Sequence, residues 1–238
     1  MTSETTLAAA AAHNGPIVER RDAQGRVIER AQFQDGVLHG TISLFASTGL
    51  ALQELAFANG EPDGPMMLHD ENGRLLARLT WLAGALDGPA IIFSDGRILA
   101  EMTYSSGRLD GEMRTYSEAG VLISTGTYRD GRLEGATKIY RPDGSMMRAM
   151  NYVAGLLDGE STDYDERGKV RSRTFFKAGR REGPMTEYDE DGKPVRRTMF
   201  SADRQVGEKQ PLDINRPPSS RRWNRHLTMV GNPVRREI

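Results

Sequence analysis

Along most of the chain, apolar and polar residues alternate in short runs broken by glycine and acidic residues. One such run is Glu112-Met113-Arg114-Thr115-Tyr116. A break at Ser117-Glu118-Ala119-Gly120 follows, then a second run from Val121 to Tyr128, then Arg129-Asp130-Gly131-Arg132-Leu133-Glu134-Gly135. Alternation over five to eight residues between Gly- and Asp-containing breaks predicts antiparallel β-hairpins. Two aromatic columns recur in step. One ends the second strand of each unit: Phe33, Phe57, Trp81, Tyr104, Tyr128, Tyr152, Phe176 and Phe200. The other ends the first strand: Phe45, Phe93, Tyr116, Tyr140, Tyr164 and Tyr188, with His69 standing in for one aromatic. Because strand side chains alternate, Trp81 is expected to share a face with Leu79 and Leu75, and Tyr104 with Met102 and Ile98. Such aromatic and aliphatic cross-strand pairs add about 0.2–1 kcal/mol each over alanine pairs.

The glycines fix the period. One series runs Gly25, Gly49, Gly73, Gly96, Gly120, Gly144, Gly168, Gly192, in steps of 24 residues with a single step of 23. A second runs Gly36, Gly60, Gly84, Gly107, Gly131, Gly155, Gly179, and a third follows it by four residues, Gly40 to Gly183. Together they hold 22 of the 26 glycines, so these residues are register marks of a repeat. The fold expected is all-β: an elongated, meandering antiparallel sheet of about eight hairpin repeats. Sixteen strands at ~4.8 Å would span on the order of 75 Å. Residues 15–200 form the array, residues 1–14 read as a disordered or weakly helical leader, and residues 201–238 as an Arg- and Pro-rich tail with eight basic and four acidic side chains.

Composition narrows the chemistry. A hydrophobic share of 37% is low for a globular enzyme of 238 residues and suits a thin sheet of repeats. Thirty-two basic against 33 acidic side chains give a net charge of −1, which argues against a nucleic-acid binder. With no cysteine, disulfides, thiolate metal sites and cysteine nucleophiles are excluded, and a reducing compartment is favoured. Leu7 and the five alanines after it are too short for a signal peptide, so a cytoplasmic protein is expected.

No catalytic constellation emerges. His13, His39, His69 and His226 have no metal-ligand spacing. Ser43, Ser94 and Ser161 have no histidine and carboxylate arranged for a triad. The glycines lead into strands, where a phosphate cradle would lead into a helix. An acidic residue precedes the third-series glycine at Asp63, Asp87, Asp110, Glu134, Asp158 and Glu182. This column reads as turn chemistry, with an anionic stripe for a basic partner or calcium as the alternative. No cofactor, metal or catalytic residue is therefore assigned.

A gradient runs along the chain. On the phase opposite the first-strand aromatics lie Ile42 and Leu44, Met66 and Leu68, Ala90 and Ile92, then later Ser161 and Asp163, and Met185 and Glu187. The second strands drift likewise, from Leu52, Leu76, Leu99 and Ile123 to Arg171. An uncovered apolar sheet face needs a cover. The candidate protein-binding residues are accordingly Leu44, Leu52, Leu68, Leu76, Ile92, Leu99 and Trp81. Trp223 joins them as the one aromatic anchor of the basic tail.

The unit Tyr128-Arg129-Asp130-Gly131-Arg132-Leu133-Glu134-Gly135 has the form Tyr-x-x-Gly-x-Leu-x-Gly and resembles the MORN repeat. Its 24-residue spacing is similar to the bacterial MORN variant found in YwqK-type antitoxin components. The resemblance covers about residues 15–200, and departs at Pro16, where a third-series glycine is due. It implies a non-enzymatic protein-binding module, and among such modules an antitoxin or immunity-type protein that occludes a toxin. A self-associating or membrane-associated scaffold and a secreted effector are the alternatives. The partner implied is a protein, with a second copy of the chain and membrane lipid as further candidates.

Overall fold

The structure, a computed structural model, describes residues 15–212. They form one antiparallel sheet of 22 strands, and each strand pairs with its neighbours in sequence. Five of these strands are two residues long, such as Val37–Leu38 and Arg132–Leu133, and each continues after a one-residue break into a long strand. Seventeen full-length strands remain. Among the described residues the first, Ile17–Arg21, pairs only with Val27–Gln34, and the last, Arg204–Pro211, only with Pro194–Ser201, so the described sheet does not close on itself. The array thus continues beyond Phe200 into the segment expected to be tail.

Two kinds of turn alternate along the two rims of this ribbon. On one rim the central residues both have positive φ, as in Asp35-Gly36 (52° and 79°) and Asp130-Gly131 (49° and 76°). Positive φ at both centres matches the right-handed twist of the strands and selects Asn-Gly and Asp-Gly pairs. Ala83, Ala154 and Ala178 occupy the first centre in three turns at φ 45–50°. Alanine there costs about 1–2 kcal/mol relative to a right-handed conformation. The last turn, Ala202-Asp203, has no glycine at all. On the other rim, Asp22, Asp70, Asp165 and Asp189 open wider turns, each with Oδ1 accepting the N–H groups two and four residues on at 2.8–3.0 Å. The single 23-residue step has a structural cause. At Asp95-Gly96 both residues take positive φ (48° and 76°), so the wide turn has shrunk to a two-residue one.

Third-series glycines sit where the chain bends back after the short strand. Gly64 has φ 115°, and a Cβ there would lie 2.9 Å from the Cβ of Ala56. Both backbone and space therefore require glycine.

No large side chain among the described residues is fully buried. Apart from Leu55, the best-buried positions are small: Ala31, Ala77 and Ala90 early, then Ser161, Ser172, Thr186 and Thr198 late. A single-layer sheet shields only its midline, so packing contributes less here than in a globular core.

Candidate binding face

The strand registers assign each side chain to a face, because directly opposed residues of an antiparallel pair project to the same side. Gly40 opposes Phe57, Ile42 opposes Leu55 and Leu44 opposes Gln53. In the next pairs, Leu68 opposes Gln53 and Ala77, Gly64 opposes Trp81, and Ile92 opposes Ala77 and Ala100. Leu44, Leu68, Ile92 and Trp81 therefore share one face with Phe33, Phe57 and Tyr104. The first-strand aromatics occupy the other face: Arg30, which opposes Ser43, lies 5.6 Å from the Phe45 ring centroid. Likewise Tyr116 donates its hydroxyl to Glu101 at 2.7 Å. This bond holds the Tyr116 phenol above its ordinary range, with burial adding to the effect.

The two aromatic columns are thus separated onto opposite faces. A bulge near every wide turn complicates the simple alternation. The register shifts between Leu44 and Phe45, between Leu68 and His69, and at the equivalent place in later repeats. As a result Leu75 opposes His69 and Ile98 opposes Phe93. Both fall on the face away from Trp81 and Tyr104, where plain alternation had placed them beside those rings. The extra residue of each bulge is Ile28, Leu52, Leu76, Leu99, Ile123, Met147, Arg171 or Val195. In the late repeats Met147, Arg171 and Val195 line one cavity with Arg148, Asp163, Ser172, Glu187 and Arg196, and Tyr164 and Tyr188 of the first-strand column line it too. Two bulge residues oppose a single partner residue. By repeat equivalence Leu52, Leu76 and Leu99 lie beside Leu44, Leu68 and Ile92. Of the expected binding residues, Leu44, Leu68, Ile92 and Trp81 therefore share one face, Leu52, Leu76 and Leu99 are the bulge residues next to it, and Trp223 lies outside the described residues.

That face changes character along the array. Over the first four repeats it carries Leu44, Leu52, Leu68, Leu76 and Ile92 toward the wide-turn rim, Leu55 at mid-strand, and Phe57 and Trp81 toward the other rim. Leu76 is 41% exposed and the others are half-buried or buried. The indole Nε1 of Trp81 is buried without a hydrogen-bond partner. In the late repeats charge takes over: Arg148 pairs with Asp163, Ser172 donates to Asp163 at 2.9 Å, and Arg196 pairs with Glu187 at 3.0 Å. At the rim end of the same face Arg181 lies 4.1 Å from the Phe200 ring centroid.

The acidic column has a different role from either one expected. Each carboxylate reaches forward to the next repeat and accepts the backbone N–H of the first positive-φ residue of its turn. Asp87 takes Ser106 at 2.9 Å, Asp110 takes Asp130 at 3.1 Å, Glu134 takes Ala154 at 2.8 Å, Asp158 takes Ala178 at 3.2 Å and Glu182 takes Ala202 at 2.8 Å. Asp63 does the same for Ala83 at 3.3 Å, and the imidazole Nδ1 of His39 for Asn59. Beside each latch the carbonyl of the preceding residue accepts the next N–H, from a leucine as Leu109 does from Gly131 at 2.8 Å, or from Pro62 and Arg181 where the leucine is replaced. The opposite rim has its own rail: Arg26 reaches the Ser47 carbonyl, Arg97 that of Glu118 and Lys169 that of Glu190. Sequence gave the residue types of these latches without their partners, which lie some 20 residues away. Among the described residues no group of three or more His, Asp or Glu is arranged to hold a metal ion.

A family model described as the MORN repeat variant matches residues 109–130, 157–178 and 181–201. No curated protein matches the chain. Among solved structures, Staphylococcus aureus TarM in complex with Fondaparinux, alpha-GlcNAc-glycerol and UDP is similar at 9% identity, covering 50% of this chain and 21% of that one, with a TM-score of 0.25. A TcdB2–TccC3–Cdc42 structure is similar at 13% identity over 77% of this chain and 13% of that one, with a TM-score of 0.16. The Photorhabdus luminescens Tc holotoxin pore gives 14%, 78% and 13%, with a TM-score of 0.15. The chain spans between 13% and 21% of the length of those chains, and likeness at such scores carries no weight for function. No helix among the described residues is long and apolar enough to cross a membrane.

Proposed function

We propose that this chain, three stretches of which match a repeat type that generally mediates protein or membrane binding, is a non-enzymatic module that seats a protein partner on the apolar face of its first four repeats. The observation that carries this reading is the one-sided gradient. Leu44, Leu52, Leu68, Leu76 and Ile92 lie together on a face that nothing among the described residues covers, while in the last repeats the equivalent positions carry Asp163, Arg171 and Glu187 beside Val195, with Ile139 and Met147 between the two ends. Burying apolar surface yields about 25 cal/mol per Å². A partner therefore gains most at the N-terminal end, and the paired charges of the late repeats keep that end in water. The regular carboxylates are engaged in holding turns together, which supports a scaffold for binding over an array of reactive groups. A toxin is the first partner class to test, on the strength of the resemblance to antitoxin components. In that reading the sheet face would occlude the toxin's working surface.

Affinity capture with the full chain tests the proposal. Wild type and a chain carrying Leu52→Glu with Leu76→Glu are compared with a chain carrying Arg171→Glu with Val195→Glu. A protein retained by wild type and by the late-repeat variant, but lost from the early-repeat variant, supports the face. Equal retention by all three removes it.

A further inference from the structure

On the side opposite the apolar face, one row of side chains crosses the whole sheet at mid-strand. Each member directly opposes the next, from Glu19 and Arg30 at one end to Arg197 and Gln210 at the other. Opposed residues project to the same side. That side is marked by Arg30 against the Phe45 ring and by Arg173, 5.9 Å from the Tyr188 ring centroid. Charge is unevenly placed along the row. In the early repeats the signs alternate: Glu19, Arg30, Glu54, Arg78, Glu101. From Arg114 onward every charge is positive, at Arg114, Lys138, Arg173 and Arg197, and the residues between them are threonine or alanine.

The rows on either side offset only half of this charge. Glu112 pairs with Arg114 at 2.7 Å, and Glu160 lies 3.6 Å from Arg173. Lys138 and Arg197 are exposed and have no ion-pair partner among the described residues. Toward the wide turns the next row is uncharged, with Tyr140 opposing Met146, Tyr164 opposing Val170 and Tyr188 opposing Pro194. The late repeats thus carry a local cationic surplus on this side, within a chain whose net charge is −1. Such a surplus attracts and orients anions.

We infer that an acidic peptide segment binds across the strands of the late repeats, along the row from Arg114 to Arg197. The spacing of the row sets the ligand. Its two ends lie seven strand steps apart, about 34 Å at ~4.8 Å per strand, and successive cations lie two or three steps apart, about 10–14 Å. An extended chain covers ~3.3–3.6 Å per residue, so carboxylates at about every third or fourth residue meet the cations. The residues between them lie over the threonines and alanine of the row and the tyrosines beside it. An extended segment also follows the twist from strand to strand, which a rigid helix laid across the sheet does not. A nucleic-acid strand fits less well. In a duplex it carries a phosphate about every 3.4 Å, three or more for each cation here, and most would stay unneutralised. This inference does not depend on the proposed function, because it uses the opposite side and the other end of the array.

The experiment titrates the full chain against a dye-labelled synthetic peptide of about twelve residues, ~40 Å when extended, with glutamate at every third position and alanine or serine between. Its counterpart carries glutamine at the same positions. Fluorescence anisotropy at low salt is expected to show binding of the glutamate peptide, weakening as salt rises, and none of the glutamine peptide. Lys138→Glu and Arg197→Glu, made singly, should each lower the affinity about threefold or more. Both side chains are exposed and unpaired, so the melting temperature should stay at the wild-type value. Arg78→Glu makes the same charge change at an exposed, unpaired position of the early row and should leave the affinity unchanged. Failure of wild type to bind the glutamate peptide overturns the proposal. So does equal binding of the glutamine peptide, an affinity untouched by both late variants, or an equal loss with Arg78→Glu. Tighter binding of an oligothymidylate of the same length at the same salt assigns the row to nucleic acid and overturns the peptide.

Discussion

The Glu134 carboxylate accepts the backbone N–H of Ala154 at 2.8 Å, across 20 residues of chain. Ala154 is held at φ 50°, a conformation that L side chains resist, and the bond stabilises the turn at the point of strain. The same contact recurs from Asp87 to Glu182, so it couples every repeat to the next. Removing one latch by Glu134→Ala should cost about 1 kcal/mol, the usual net worth of such a bond. In a chain of this size that corresponds to a melting temperature lower by about 2–4 °C. Glu134→Gln keeps an acceptor oxygen and should recover most of the loss. Thermal denaturation of the two variants checks this, and an unchanged midpoint for Glu134→Ala would refute the latch.

Strain at the turn centres gives a second expectation, with gains as well as losses. Ala83→Gly, Ala154→Gly and Ala178→Gly relieve left-handed backbone without removing a contact made by a longer side chain. Combined, they should raise the urea midpoint. In contrast, Gly131 and Gly135 have φ 76° and 78° with nothing within 4 Å of an added Cβ. Replacing both by valine tests backbone strain alone and should destabilise by several times the ~1 kcal/mol of an ordinary substitution. If the valine variant melts with wild type, those turns do not need glycine.

Acid should loosen both rims together. The backbone N–H of Arg26 holds the Asp22 carboxyl below its ordinary range, that of Arg74 does so for Asp70, and that of Arg181 for Asp203. Asp158 is lowered chiefly by the Lys177 ammonium, with the Ala178 N–H next. A carboxyl whose folded pKa lies below its unfolded value stabilises the fold above the unfolded value. That contribution is lost as pH falls through the folded one. The urea midpoint should therefore hold from neutrality to about pH 5 and fall below about pH 4, where unperturbed carboxylates begin to protonate. Asp70→Asn should reduce the slope. Tyr116 has the opposite sign: its raised pKa adds stability below the ordinary phenol range that is lost as pH rises through the folded value. A midpoint flat from pH 5 to pH 2 would contradict the assigned role of these carboxylates.

The hairpin repeat was legible because glycine marks backbone conformations that few other residues adopt, and three glycine series keep phase over the whole array. The face was legible at Leu44, Leu68 and Ile92, where plain alternation holds. It failed at Leu75 and Ile98, because a bulge inserts one residue without leaving a composition signal. Ala83, Ala154 and Ala178 hid three left-handed centres for a related reason: alanine has no preference for turns. The partners of Asp110 and Glu134 were not legible at all, since a contact across 20 residues depends on how neighbouring repeats stack. Beyond Phe200 the expected tail begins with a strand, and Ala202-Asp203 turns without the glycine that marked every earlier unit.

The early and late halves of the binding face allow one decisive comparison. Leu76 is 41% exposed, and Leu52 is its repeat equivalent on the same bulge position. Glutamate at both should be tolerated by the sheet, since each side chain has a path to water. A partner seated on the face would instead have to bury two carboxylates without compensating bonds, a cost of several kcal/mol at a closed interface. Leu52→Glu with Leu76→Glu should therefore abolish association while the far-ultraviolet β signal and melting temperature stay near wild type. Arg171→Glu with Val195→Glu changes the equivalent late positions, where Asp163 and Glu187 already keep the face wet, and should leave association intact. Measuring melting and oligomeric state on the same samples separates two origins of any effect. A melting temperature that drops without loss of association means that this face is covered within one chain. If neither quantity changes, Leu52 and Leu76 are exposed without a role in binding.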